Sequence, residues 1–194
     1  MDYYKNNAKA FVESTLQVDM QPLYQRFLPL LPRYAHILDA GCGSGRDARY
    51  FIKNGYQVTA FDASTEIAAL AEKEIGQSVQ VQRLQDIQYQ NQFDGIWACA
   101  SLLHVPAKEL PDVFHRLADA LKPNGVIYCS FKYGRGEYEK QGRRFTDLDE
   151  AGLQSLVGET ETLTIKEMWV TADLRPGRDH ERWLNGILVS CHGQ

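Results

Sequence analysis

The sequence predicts an α/β fold: a three-layer sandwich on a mostly parallel seven-stranded sheet, ending in an antiparallel hairpin, with an N-terminal helical cap. Three observations carry this. From residue 35, short apolar runs alternate with amphipathic segments of helical period, the signature of strands joined by crossover helices. The first such run opens into a glycine-rich turn, Asp39-Ala40-Gly41-Cys42-Gly43-Ser44-Gly45, directly before a helical segment. The last two apolar runs are joined by too few residues for a parallel crossover, so they pair antiparallel.

The elements follow in order. Residues 2–32 read as two helical segments, one around Ala10, Phe11, Ser14 and Thr15, the other striped by Leu23, Phe27, Leu30 and Leu31 and stopped by Pro32. With no strand of their own to cover, they are expected to form a lid in which Tyr3, Tyr4 and Phe11 close over a ligand. Residues 35–40 form a first strand, 46–54 a helix stopped by Gly55, and 57–61 a second strand. A helix over 64–75 has Ser64 as its N-cap. Strands at 78–82 and 93–99 follow. A helix over 110–121 has Pro111 in its first turn and Lys122-Pro123-Asn124-Gly125 as its exit. Residues 126–131 form the fifth strand. Thr146-x-x-Asp149 has the spacing of a capping box that opens a helix to about Val157. The hairpin strands are 163–171 and 183–191. No repeat or linker interrupts the chain, so the expected organisation is one domain: a cap over 1–34, a core over 35–132, and loops plus hairpin over 133–194.

Composition narrows the function. With 194 residues, 44% of them apolar and 24% charged, one substantial core can form. A net charge of −4 argues against a chain that mainly coats nucleic-acid phosphates. No apolar stretch nears the roughly 20 residues needed to span a bilayer. The first seven residues are polar, without the apolar core of a signal peptide, so the expected location is cytoplasmic. Cys42, Cys99, Cys129 and Cys191 have no C-x-x-C spacing and no His cluster beside them, so no metal site is expected. Oligomeric state is not legible.

Ligands of open parallel sheets bind beyond the carboxyl ends of the strands. At the first end, glycines let the backbone turn tightly and approach a ligand, and the helix that follows adds partial positive charge. Their G-x-G-x-G spacing differs from the G-x-G-x-x-G of dinucleotide sites. The second strand ends in Asp62-Ala63, where a carboxylate can accept from both hydroxyls of a ribose. Asp86-Ile87 follows the third strand. Ala100-Ser101 follows the fourth, and His104 is the evident proton acceptor there, unless backbone carbonyls satisfy it. Arg46 opens the helix after the glycines.

This combination, over about residues 35–131, resembles the class I S-adenosylmethionine-dependent methyltransferases, whose fold is a Rossmann-like sandwich. The resemblance implies S-adenosylmethionine as cofactor and S-adenosylhomocysteine as product. It implies cofactor contacts from Asp39, Gly41, Cys42, Gly43, Gly45, Arg46, Asp62, Ala63, Asp86, Ile87, Ala100 and Ser101. His104 then faces the acceptor and is the candidate catalytic base. Gly-Cys-Gly-Ser-Gly-Arg-Asp and the strand end Phe61-Asp62-Ala63-Ser64 look like the small-molecule enzymes near the tellurite-resistance group. Arginines in two later loops, Arg135, Arg143, Arg144, Arg175 and Arg178, suit an anionic small-molecule acceptor. Three alternatives stay open: methylation of RNA or protein, a non-catalytic cofactor-binding regulatory module, and a nicotinamide oxidoreductase, the last disfavoured by glycine spacing.

Overall fold

The computed structural model describes residues 2–175, 177–178 and 180–191, with side chains from residue 7 onward. Its helices are α1 (Asp2–Thr15), α2 (Gln21–Phe27), α3 (Arg46–Lys53), α4 (Thr65–Ile75), α5 (Leu110–Ala120) and α6 (Glu150–Gly158). Its strands are β1 (His36–Ala40), β2 (Gln57–Asp62), β3 (Gln80–Val81), β4 (Phe93–Ala98), β5 (Leu121–Lys132), β6 (Gly136–Lys140), β7 (Arg143–Asp147), β8 (Leu163–Ala172) and β9 (Arg182–Ser190).

Seven strands form one sheet in the order β3-β2-β1-β4-β5-β9-β8. The first five run parallel, and β9 is antiparallel to both β5 and β8. Strand order reverses between β1 and β4, so their carboxyl ends diverge and leave a crevice. Both faces are covered because the central strands are apolar on both sides. On one face Tyr24 and Phe27 of α2 and Phe51 of α3 pack against Trp97, which stacks on Tyr128 at 4.1 Å. On the other, Phe114 and Leu117 of α5 and Leu153 of α6 pack against Ile96, Ile127 and Leu188.

Local signals place several boundaries. The Ser64 hydroxyl accepts from the Ile67 N–H and caps α4, a contact worth about 1 kcal/mol. Gly76, at φ +71°, ends the same helix.

Three expectations are corrected. The N-terminal segment does cover the sheet, because α2 buries Leu23, Tyr24 and Phe27 against it. Phe11 lines the crevice, whereas the side chains of Tyr3 and Tyr4 lie outside the described residues. Lys122–Gly125 is not a helix exit but the first part of β5, whose pairing with β4 shifts register between Phe93 and Gly95. Thr146 caps no helix: it sits in β7 and its hydroxyl donates to the Val105 carbonyl at 2.9 Å, while Asp149 caps α6 by accepting from the Gly152 N–H.

The largest omission is the separate hairpin β6–β7, expected as loop. Its turn is Gln141-Gly142, both at positive φ, the two-residue geometry that matches strand twist. The β6 side chains all face solvent and are mostly charged, so no apolar alternation marked the strand.

Candidate active site

The carboxyl ends of β1, β2, β4 and β5, with the β6–β7 hairpin and the β8–β9 turn, enclose a cleft of about 560 Å³. One end is built from backbone. The N–H groups of Gly41 and Cys42 both donate to the Phe61 carbonyl, at 3.0 and 2.9 Å, folding the loop back over β2. Gly41 has φ +81°, and a Cβ there would lie 2.6 Å from the Ser101 Cβ. Only glycine brings these two loops together. Gly45 has φ +77°, and a Cβ there would meet Ile75 at 2.9 Å, so it sets the packing of α3 on α4 and lies outside the lining.

Asp62 lines the cleft and accepts from the Gly43 N–H at 3.0 Å and the Ser64 N–H at 2.9 Å. Burial raises its pKa against those hydrogen bonds. A carboxylate has about four acceptor positions, so it keeps capacity for further donors. Ser101 also lines the cleft, and its buried hydroxyl has no hydrogen-bond partner among the described residues. Ala100 is held at φ +52° with its N–H on the Ser130 hydroxyl, a strained backbone at the same rim. Cys42 and Ala63 complete this wall, and burial pushes the Cys42 thiol up, away from reactivity.

Beneath the loop lies a polar network that the sequence reading missed. Asp47 receives four hydrogen bonds: from the Tyr24 hydroxyl, the Trp97 indole at 2.8 Å, and the Arg46 guanidinium at 2.7 and 2.8 Å. Burial works to raise the Asp47 pKa, but the Arg46 charge and these donors prevail and lower it. Arg46 also donates to the Thr15 carbonyl at 3.2 Å, joining the end of α1 to the start of α3. Three of its five N–H groups are thus engaged, and it still lines the cleft. The available signal was Tyr24, a hydroxyl-bearing ring on an otherwise apolar stripe.

Besides Gly45, three cofactor candidates sit elsewhere than expected. Asp39 lies behind the loop, 2% exposed, accepting from the Ala48 N–H at 3.1 Å. Desolvation, then the Asp47 charge, raise its pKa well above normal, and it supports α3 without lining the cleft. Asp86 closes a 3-10 turn, Leu84–Asp86, that aims it away at Arg83, 2.8 and 2.9 Å off. Ile87 is core. Arg83, Leu84 and Gln85 line the cleft in their place.

The other end is built from side chains. His104 lines the cleft and its Nδ1 lies 2.8 Å from the Arg144 carbonyl. A carbonyl only accepts, so Nδ1 carries the proton. Burial lowers the pKa of this imidazole, and the nearby Arg143 and Lys132 charges push the same way. The ring is therefore neutral at pH 7 with an unprotonated Nε2. One ring nitrogen is thus satisfied by backbone, while the ring itself lines the cleft.

Arg143, Arg144, Arg175 and Arg178 line the cleft; Arg135 does not. It reaches back to Asp149 at the start of α6 and is 77% exposed. Arg175 forks onto Asp173, which also accepts from the Trp183 indole at 3.0 Å. Arg178 pairs with Glu181 at 3.3 Å and Arg144 with Glu137 at 2.5 Å. Seven cationic side chains line the cleft against four carboxylates. Among the described residues no His/Cys/Asp/Glu cluster could hold a metal ion, and no helix is long and apolar enough to cross a membrane.

Comparison with known proteins gives this geometry its class. Residues 37–125 match a family model described as a methyltransferase domain. A malonyl-[acyl-carrier protein] O-methyltransferase of Enterobacter lignolyticus is 36% identical over 99 residues, 49% of this chain and 38% of that one. A ubiquinone biosynthesis O-methyltransferase of Xanthomonas axonopodis pv. citri is 31% identical over 108 residues, 52% of this chain and 44% of that one. The chain thus spans less than half the length of these curated relatives. In fold it is similar to Burkholderia thailandensis 1,6-didemethyltoxoflavin-N1-methyltransferase, solved with 1,6-didemethyltoxoflavin and S-adenosylhomocysteine. The TM-score is 0.79 at 22% identity, over 97% of this chain and 84% of that one. The open glycine cradle, the spare acceptor capacity of Asp62 and the unpartnered Ser101 hydroxyl all fit such a cofactor. Over residues 37–125 the chain is thus similar to methyltransferase domains, and its fold is similar to that of an enzyme solved with S-adenosylhomocysteine.

Proposed function

We propose that the protein transfers a methyl group to a small, anionic acceptor and that His104 is the base for that acceptor. The single observation that carries this is the Nδ1 contact of His104 with the Arg144 carbonyl, which leaves an unprotonated Nε2 on a cleft shared with the cofactor loop. When bound, S-adenosylmethionine supplies the methyl group as a sulfonium electrophile and leaves as S-adenosylhomocysteine. The chain's own part is alignment and proton removal. Gly41, Cys42, Gly43, Asp62, Ala63, Ala100 and Ser101 hold the cofactor, with Arg46 at its charged end. Nε2 of His104 takes the proton that the acceptor atom loses. Arg143, Arg144, Arg175 and Arg178 surround the acceptor's negative charge, the last three each paired with a carboxylate of this chain.

The enclosed cleft and its excess of cations support a small molecule over RNA or protein. Kinship with the small-molecule enzymes near the tellurite-resistance group, a single domain over 1–194 and a cytoplasmic location belong to the same proposal. The test is calorimetric titration with S-adenosylhomocysteine and, separately, NADH, followed by an acceptor screen weighted to anionic small molecules. Binding of the first alone, and turnover that falls in His104→Gln, are expected. Binding of NADH, or of neither, would overturn the reading.

A further inference from the structure

Two basic groups in the cleft have no part in the account above: Arg83, which pairs with Asp86, and Lys132. Lys132 is the last residue of β5, at the crevice, and its Nζ lies 5.1 Å from the centroid of the Phe145 ring. The Arg143 guanidinium lies 5.2 Å from the same centroid, and the His104 ring meets it edge-on at 5.0 Å. Phe145 is 5% exposed and is stacked by Tyr138 at 5.4 Å, so it is a fixed hub. Three cleft-lining groups, two cations and the candidate base, are thus gathered on one ring.

Cations and carboxylates around this hub are shared and not matched one to one. Glu181 is shared: Lys132 reaches it at 3.2 Å and Arg178 at 3.3 Å. One carboxylate therefore answers two cations. Asp147 also faces Lys132, but burial raises its pKa. Arg144 is occupied by Glu137 and Glu139, and Arg175 by Asp173. The groups that face His104 are Lys132 from β5, Arg143 and the Arg144 carbonyl from β7, and Glu139 of β6 on the cleft rim. Cations beside an aromatic ring, in a cleft that also presents the Trp183 indole ring, suit an oxyanion on an aromatic or otherwise flat molecule.

We infer that Lys132, with Arg143, is the acceptor's anion subsite, and that the acceptor carries a carboxylate or phosphate beside the atom that His104 deprotonates. This rests on the methyl-transfer reading. It has a consequence independent of turnover. An anion seated on Lys132 and Arg143 offsets the two charges that disfavour protonated His104, so its binding raises the pKa of that imidazole.

The test follows the His104 ring proton by NMR through a pH titration, assigned by its loss in His104→Gln. Benzoate, phenyl phosphate and neutral benzamide are the probes, and S-adenosylhomocysteine binding is measured on every variant as the check of fold and of the cofactor site. Benzoate or phenyl phosphate should raise the His104 midpoint in the wild type and in Lys53→Gln, a distant charge control. The stronger of the two identifies the anion as carboxylate or phosphate. Benzamide should leave the midpoint unmoved. Lys132→Gln should start from a higher midpoint and bind the anion about tenfold more weakly, the loss expected of one charge-assisted contact. Lys132→Arg should keep the response, and Arg143→Gln gives a second variant should Lys132→Gln fail to fold. An unmoved midpoint in the wild type, or an equal response in Lys132→Gln, with S-adenosylhomocysteine still bound, would sink the anion subsite alone. Loss of S-adenosylhomocysteine binding in the wild type would remove the methyl-transfer reading and this inference with it.

Discussion

The two ends of the cleft are made in different ways. The glycine end is a backbone structure: turns at positive φ, amide hydrogens folded onto Phe61 and Asp62, and a buried Asp47 with four donors beneath. The end proposed for the acceptor is a side-chain structure, in which cations from β5, β7 and the β8–β9 turn are held by carboxylates, Glu181 and Glu137 partly exposed and Asp173 buried. A backbone site admits few substitutions because its shape is the chain itself. A site of paired, half-exposed side chains can be rewritten one residue at a time, each ion pair contributing about 1 kcal/mol or less. The first arrangement suits a fixed cofactor and the second a variable acceptor.

This contrast can be tested from its strongest point downward. Asp47→Ala removes the partner of a buried guanidinium and of two aromatic donors. It should cost about 3–5 kcal/mol, lowering Tm by about 10 °C in a chain of this size, measured by calorimetry. A change under 1 kcal/mol would mean that the network does not support the glycine end. His104→Gln should lower kcat about a hundredfold while leaving S-adenosylhomocysteine affinity within a factor of about two, since a positioned base contributes at least that much. A parallel loss of cofactor affinity would show that the two ends are not separable. Gly41→Ala combines positive φ with a clash against Ser101, and should weaken S-adenosylhomocysteine binding by about 2 kcal/mol, roughly thirtyfold. Arg135→Ala, a cleft-distant ion pair, should change stability and acceptor KM by less than about 0.5 kcal/mol.

Acidity gives another handle, with the same sign at the two sites but in different pH windows. The pKa of Asp47 is lowered in the folded chain, so its stabilisation is complete above the unfolded value near 3.8 and is lost as pH falls through the folded one. His104 is also lowered, from 6.5, so the folded state resists its protonation. Its contribution to stability therefore declines as pH falls below 6.5. The acid limb of kcat/KM should accordingly have its midpoint below 6.5, and an acid limb above that value would exclude His104 as the base.

Legibility in the sequence follows the same division. Alternating strands and helices, the terminal hairpin, the Asp62 strand end and the Ser64 cap were all readable, because each depends on residues close together in the chain. The misplacements share a cause. Asp86 and Asp39 were assigned by their position after a strand, but a 3-10 turn redirects one and the helix α3 amide claims the other. Arg135 was grouped with its neighbours by proximity, while its partner Asp149 lies 14 residues on. The hairpin β6–β7 is held to residues 104–107 through the His104, Val105 and Ala107 contacts, none of which has a local period.

From its residues alone, this chain declared a parallel sheet and a glycine loop, since periodicity and φ requirements are written locally. Which atoms meet at the acceptor end was settled by folding. His104, Lys132, Arg143 and Phe145 come from three separate segments, and the tautomer of His104 is set by the carbonyl of Arg144, 40 residues away. A carbonyl at that distance has no signature in side-chain identity. It acts on the imidazole only once β7 has docked beside the crevice.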